Sequence, residues 1–167
     1  SVRAEDELTP IQWYSRTRNQ QTTPRIDWWI FARDAQPANL TAGMEKVPGS
    51  LRPSNVKDRL IGVAGDALWA VDVTNKAATQ LTSQPLPAGA EIIWPSAYEG
   101  IHRGVSELVV AGRGQDGVRP LVRAVLTEGA AEVTPIASPS TTAKFFGYSP
   151  AHGALMFTDQ SPIGTFL

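Results

Sequence analysis

Cysteine is absent from this chain of 167 residues. Its absence excludes disulfides, zinc sites built on thiolates and cysteine nucleophiles. The chain also lacks an excess of either charge, because 15 Lys and Arg face 16 Asp and Glu for a net charge of -1. No global field therefore favours nucleic acid or an anionic membrane. Long apolar runs are missing as well, so the sequence predicts no membrane span.

Glycine and proline are plentiful instead, with 14 Gly and 13 Pro. Such frequent turn-forming residues are typical of many short strands and turns, not of a few long helices. The clearest stretch alternates apolar segments with turn residues: Leu60–Ala64, a turn at Gly65–Asp66, Ala67–Val73, a turn at Thr74–Lys76, and Ala77–Leu81. Two strands joined by a two-residue turn indicate a hairpin, and a third strand makes a meander.

Parts of this meander recur along the chain. Trp69 lies 40 residues after Trp29, and Leu81–Thr82 lies 41 residues after Leu40–Thr41. A third copy is predicted to end at Val133–Thr134, 52 residues after Leu81–Thr82. A period of about 40 to 53 residues with three or four short strands is typical of β-propeller blades, which bury their faces against neighbouring blades.

The predicted fold is therefore all-β: a partial β-propeller of about three to four four-stranded blades, interpreted as a fragment of a larger propeller. The blades are placed at about 28–55, 56–90, 91–140 and, incomplete, 141–167. Residues 1–27 form an N-terminal segment or the end of a preceding blade. Two alternatives stay open: an ordinary β-sandwich, which also has short strands and regular turns, and a small closed barrel.

A family resemblance rests on three segments. Tyr148–Thr158 resembles the aromatic-Ser-Pro-Asp-Gly hairpin of TolB-like propellers and of the N-terminal propeller in the prolyl oligopeptidase family of serine peptidases. Leu68–Thr82 is similar to the outer hairpin of those blades, and Asn39–Thr41 is similar to its end. Ala151–His152 stands where the family has a single Asp, so a different turn is expected.

The resemblance implies a propeller that admits and orients peptides for a separate α/β-hydrolase domain, which carries the Ser-Asp-His triad. No catalytic, cofactor-binding or metal-binding residue is assigned to this chain, and whether its parent is an enzyme stays open, as does a cytoplasmic or periplasmic location. The alternatives are a non-enzymatic TolB-like propeller that binds protein partners and a stand-alone β-sandwich binding module. The expected partner is a peptide or protein, the remainder of the same polypeptide, or a second copy. The contact is expected through Phe145, Phe157, Phe166 or Trp28–Trp29.

Residues that could carry hydrolytic chemistry are few. Gly147–Ala151 approaches the Gly-x-Ser-x-Gly nucleophile elbow but lacks its final glycine, so Ser149 is interpreted as a turn hydroxyl. His102 and His152 are the two histidines, and both are interpreted as polar surface residues. Two histidines cannot form a three-His zinc site, and a carboxylate such as Glu99 shows no tight ligand spacing with them.

Four other patterns are given structural interpretations. Glu5–Glu7 is a solvated acidic turn, and Gly112–Gly117 is a hairpin loop because no helix is predicted after it. Asn39–Thr41 matches a glycosylation sequon, but its position at the end of a predicted blade explains these residues better than glycosylation does. The last pattern intersperses basic residues among aromatic ones without forming a dense stripe, and it is interpreted as blade packing rather than a single-strand nucleic-acid site: Arg16, Arg18 and Arg25 near Trp13, Tyr14, Trp28 and Trp29.

Overall fold

A computed structural model describes residues 11–14, 26–33, 35–94, 105–114, 118–137, 143–149, 151–161 and 164–166. These residues form strands and turns, with no helix in any of the described ranges, so the all-β prediction is confirmed. The strands are β1 (Ile11–Tyr14), β2 (Ile26–Ile30), β3 (Ala38–Asn39), β4 (Arg52–Pro53), β5 (Arg59–Ala64), β6 (Ala67–Asp72), β7 (Ala77–Gln80), β8 (Glu91–Ile93), β9 (Glu107–Ala111), β10 (Leu121–Leu126), β11 (Ala131–Ile136), β12 (Lys144–Ser149), β13 (Ala154–Ser161) and β14 (Gly164–Phe166).

The strands form four antiparallel sheets in chain order. The orders are β1-β2-β3, β4-β5-β6-β7, β8-β9-β10-β11 and β12-β13-β14, so each strand pairs with its neighbour in sequence. Turn chemistry explains the meander in the second sheet. Gly65 takes a φ of 65° between β5 and β6, a conformation that glycine adopts without a steric penalty. Between β6 and β7, Asp72 Oδ1 accepts a hydrogen bond from the Asn75 amide at 2.7 Å.

Successive sheets pack face to face through three apolar clusters. The first cluster joins the first two sheets, and Leu40 and Val71 are buried members of it. The second joins the two middle sheets around Ile61 and Leu108, both fully buried. The third joins the third and fourth sheets, where Tyr148 packs with residues of β8, β9 and β10. Burying both faces of a sheet in this way is the packing that propeller blades use.

Backbone hydrogen bonds reinforce the contact between the two middle sheets. The Asn55 amide donates to the Val105 carbonyl at 3.1 Å, and the Ala131 amide donates to the Leu81 carbonyl at 2.9 Å. These bonds tie the sheets together near β4 and again near β7, on opposite sides of the second sheet. The second and third sheets therefore form one joined pair.

The predicted repeat of Leu-Thr pairs is present in the first two sheets. The Leu40 amide donates to the Trp28 carbonyl, and the Leu81 amide donates to the Leu68 carbonyl, each at 2.8 Å. The repeat places Trp29 and Trp69 at equivalent positions, one residue further along β2 and β6. Both tryptophans are half-buried rather than enclosed in a core.

The third copy of the Leu-Thr pair differs from the prediction. Val133 and Thr134 lie inside β11, paired with Ala124 and Arg123, and Thr134 is exposed. The reason is that the β10–β11 ladder continues to the first residue of β10, where Leu121 pairs with Ile136. Four stacked antiparallel sheets are thus the observed architecture. The residues described form no closed ring, and the propeller itself stays a prediction.

Candidate functional site

A threonine hydroxyl completes the hydrogen bonding of the strand in both copies of the Leu-Thr repeat. Thr41 Oγ1 accepts from the Trp28 amide at 3.0 Å, and Thr82 Oγ1 accepts from the Leu68 amide at 3.2 Å. Both threonines are buried. Thr41 also donates to Asp27 Oδ1 at 2.9 Å. The hydroxyl therefore replaces the carbonyl that a longer outer strand would have supplied to the same amide.

The chemically richest cluster lies where the third and fourth sheets meet. Glu107 at the start of β9 is contacted by Arg123 of β10 and by Tyr148 of β12. The Tyr148 hydroxyl donates to Glu107 Oε1, and the Arg123 guanidinium donates to Oε2. The Glu107 side chain is 15% exposed and that of Arg123 is 50% exposed. We call these three residues the polar cluster.

The protonation states in the polar cluster follow from its geometry. The hydrogen bond from Arg123 lowers the pKa of Glu107 from its ordinary 4.5, and the Tyr148 hydrogen bond lowers that pKa further against the effect of burial. Burial and the carboxylate partner raise the pKa of Tyr148 to about 12. Near neutral pH the carboxylate is charged and the phenol is neutral. A general base or acid needs a pKa near the working pH, and both groups are moved away from it.

Two arginine–aromatic contacts flank the sheet interfaces. The Arg119 guanidinium lies 5.9 Å from the Phe145 ring centroid and forms an ion pair with Glu91 at 3.3 Å. The Arg52 guanidinium lies 5.0 Å from the Trp94 ring centroid, joining β4 to the end of β8. Both distances are within the range of cation–π attraction. The two contacts add side-chain links between neighbouring sheets.

Ser149 and His152, the predicted turn hydroxyl and surface histidine, lie at the two ends of one tight turn. Ser149 ends β12, is half-buried and pairs with Ala154 of β13. His152 is exposed, and its amide donates to the Ser149 carbonyl at 3.3 Å. The connection between β12 and β13 is a hairpin turn, not the strand-to-helix turn that a nucleophile elbow requires.

The glycine-rich segment also leads into a strand. The Gly112 amide donates to the Pro120 carbonyl at 2.8 Å, and β10 begins at Leu121. A helix at this point would be needed to bind a dinucleotide, so the interpretation as a hairpin loop is confirmed for its described ends. Asn39 of the sequon accepts the Thr41 amide through Oδ1 at 2.9 Å, which gives it a role at the end of β3.

Several residues considered from the sequence lie outside the described part of the chain. They are Glu5–Glu7, Arg16, Arg18, Arg25, Glu99, His102 and residues 115–117, together with the side chains of Trp13, Tyr14 and Phe166. Within the described residues, no group of three or more His, Asp and Glu could hold a metal ion. The same described residues contain no helix that could cross a membrane.

The apolar residues expected to make contact with a partner are buried to different degrees. Trp28 packs against the cluster between the first two sheets and donates through Nε1 to the Pro48 carbonyl at 2.7 Å. Phe145 is half-buried and lies 6.2 Å from Phe157 between ring centroids. Phe157 is 38% exposed and Met156 is 52% exposed. Among the described side chains of the fourth sheet, the large exposed apolar ones are therefore on β13.

The polar cluster was not predicted from the sequence. Glu107 and Tyr148 are 41 residues apart in sequence, and no short motif connects them. One signal was available: Arg123 interrupts the apolar strand β10, whose other residues are buried or half-buried. A single charged residue in an apolar strand marks a place where an oppositely charged side chain on a neighbouring strand would be favourable.

Comparison with known proteins assigns the chain to no family. No protein-family model matches the chain, and no curated protein matches it either.

Proposed function

We propose that this chain is the propeller portion of a prolyl oligopeptidase-like serine peptidase, in which it gates and orients peptide substrates for a separate α/β-hydrolase domain. The observation that supports the proposal best is the repeat in the first two sheets. A Leu-Thr pair follows the outer strand in each, with the same amide and hydroxyl contacts to the strand before it. Face-to-face packing of successive antiparallel sheets agrees with blades arranged in sequence.

In the proposed arrangement catalysis belongs to the hydrolase domain, and the described residues of this chain are not arranged for it. Ser149 lies on a hairpin, and His152 on the same turn is exposed to solvent. In the polar cluster the pKa of Glu107 is lowered and that of Tyr148 is raised, so both are moved away from neutral pH. Neither group is therefore suited to proton transfer near pH 7. Within this proposal, the chain shapes access to a nucleophile that another domain supplies.

The test uses the complete polypeptide that contains this chain. We expect a serine-directed fluorophosphonate to label it at a Gly-x-Ser-x-Gly serine outside residues 1–167. A series of peptides of increasing length should be cleaved only up to a limiting size. A polypeptide with no labelled serine contradicts the proposal. Cleavage that is independent of peptide length removes the gating role and leaves the peptidase assignment intact.

A second candidate is a non-enzymatic TolB-like propeller that binds a protein partner, either the remainder of the same polypeptide or a second copy. The exposed side chains of Met156 and Phe157 favour it, because each is a large apolar side chain that a partner could cover, one on each face of β13. Size-exclusion chromatography with light scattering of the chain and of Met156→Ser/Phe157→Ser separates the cases. Concentration-dependent association that the double variant loses supports this candidate, and a monomer at high concentration contradicts self-association.

A further inference from the structure

We propose that two copies of this chain associate through β7, the edge strand of the second sheet. In this arrangement β7 of one copy pairs antiparallel with β7 of the other, and the two four-stranded sheets become one continuous sheet. The proposal concerns an interaction surface that the proposed function does not use, and it is independent of that function. It rests on the backbone groups that β7 directs away from β6.

Every second residue of β7 points its backbone N–H and C=O outward, because hydrogen bonding alternates along an antiparallel strand. The Leu81 amide donates to the Leu68 carbonyl, so Leu81 faces β6, and Thr79 faces β6 by the same alternation. Ala78 and Gln80 therefore present four backbone groups to the outside. In the part of the chain that the structure describes, none of these four groups has a hydrogen-bond partner. Gln80 is exposed and Ala78 is half-buried, so the edge is open to solvent.

The sequence of β7 contains none of the usual features that keep sheet edges apart. Exposed edge strands are commonly protected by Lys, by Pro or by a β-bulge. β7 reads Ala-Ala-Thr-Gln, and its register with β6 is regular from Ala77 to Gln80. Small neutral side chains on a regular edge leave room for another strand at hydrogen-bonding distance.

The edge strand of the third sheet, β11, is protected by comparison. The Ala131 amide donates to the Leu81 carbonyl of the second sheet, so Ala131 faces away from β10. Val133 and Pro135 share that orientation by alternation. Pro135 has no N–H to offer, which is why proline is tolerated at the outer side of an edge strand. Of these three outward residues, Val133 is therefore the one whose amide could bond to a further strand.

The outward groups of β7 match a second copy of the same strand. When two β7 strands run antiparallel about a two-fold axis at Thr79, Ala78 of each copy lies opposite Gln80 of the other. Each of these pairs exchanges two backbone hydrogen bonds, so all the outward groups of both strands are paired. Thr79 then lies opposite Thr79, a cross-strand pair that stabilises sheets. Lys76, the charged residue before the strand, lies opposite the neutral Thr82, so like charges do not meet.

Disulfide cross-linking tests this arrangement on the whole chain, because Thr79→Cys introduces its single thiol. Across the two-fold axis the two Cα atoms would lie about 4.5 Å apart, a distance that a disulfide can span. With oxidised glutathione we expect a covalent dimer on a non-reducing gel. Thr134→Cys is the matched control, since Thr134 is also exposed on an edge strand but lies between the outward residues Val133 and Pro135. It should stay monomeric.

Gln80→Pro supplies the second variant, because it removes one outward N–H of β7 and no hydrogen bond to β6. Combined with Thr79→Cys, it should abolish the cross-link. Cross-linking that persists in this double variant, or that is equal in Thr79→Cys and Thr134→Cys, overturns the proposal.

Sedimentation equilibrium answers the same question without a cysteine, if Thr79→Cys does not fold. The wild-type chain should associate as its concentration rises, and Gln80→Pro should remain a monomer. A wild-type chain that is monomeric at every concentration overturns the proposal, as does association that Gln80→Pro leaves unchanged.

Discussion

The buried hydroxyl of Thr82 offers the sharpest test of the repeat. In an antiparallel strand the N–H and C=O of one residue point to the same side, and those of Leu68 both point toward β7. The carbonyl accepts from the Leu81 amide at 2.8 Å, and the amide donates to Thr82 Oγ1 at 3.2 Å. Because Leu68 is fully buried, no water can replace the hydroxyl. Thr82→Val retains the shape of the side chain and removes that acceptor.

Leaving a buried amide without a partner costs about 1–3 kcal/mol. Thr82→Val should therefore destabilise the chain by that amount. Thr41→Val should cost at least as much, since Thr41 also donates to Asp27. The measurement is equilibrium unfolding in urea, where the loss appears as a lower midpoint with an unchanged slope.

The matched control is Thr82→Ser, which keeps the hydroxyl and deletes one methyl group. It should cost about 1 kcal/mol or less from lost apolar burial. If Thr82→Val unfolds at the wild-type midpoint, the hydroxyl does not complete the strand. A Thr82→Ser variant less stable than Thr82→Val would likewise refute the reasoning, because methyl packing would then outweigh the hydrogen bond.

Three further predictions concern the core, the polar cluster and reactivity. Leu68→Ala should cost about 2–5 kcal/mol in urea unfolding, and Trp69→Ala should cost less than the 3–5 kcal/mol of a fully buried tryptophan, because Trp69 is half-buried. Stability should fall as the pH drops through the lowered pKa of Glu107, since its contribution is complete only above the ordinary 4.5. In Glu107→Gln the free energy of unfolding should fall less steeply with decreasing pH. An unchanged slope of stability against pH contradicts this prediction. A serine-directed fluorophosphonate should leave the isolated chain unlabelled, and stoichiometric labelling of Ser149 would contradict the non-catalytic interpretation.

The sequence predicted the fold best where turn residues act locally. Gly65–Asp66 between two apolar segments specifies the β5–β6 hairpin, and the hairpin is present with Gly65 at positive φ. The Leu40–Thr41 and Leu81–Thr82 pairs were also recognisable, because a buried threonine after an outer strand has the same task in both sheets. Local rules thus sufficed for hairpins and for the repeat that they build.

Prediction failed where the outcome depends on ladder length or on distant partners. Thr134 lies within strand β11 and not just after its end, as Thr41 and Thr82 do in their sheets. The reason is that the β10–β11 ladder extends to Leu121 and needs no hydroxyl to complete it. Whether a ladder stops early is set by the packing of both strands, which a two-residue motif does not encode. The contact of Tyr148 with Glu107 depends on how two sheets stack, so no sequence spacing could have shown it.

Strands of the second and fourth sheets differ in how their two faces are buried. Leu60 and Ile61 are successive residues of β5 that point to opposite faces, and each is buried in a different apolar cluster. A sheet held on both faces cannot shift without opening two cores at once. On β13, by contrast, Leu155 packs inward and Met156 beside it is exposed. At this point one face of β13 packs on the third sheet and the other is open to solvent, whereas both faces of β5 are covered.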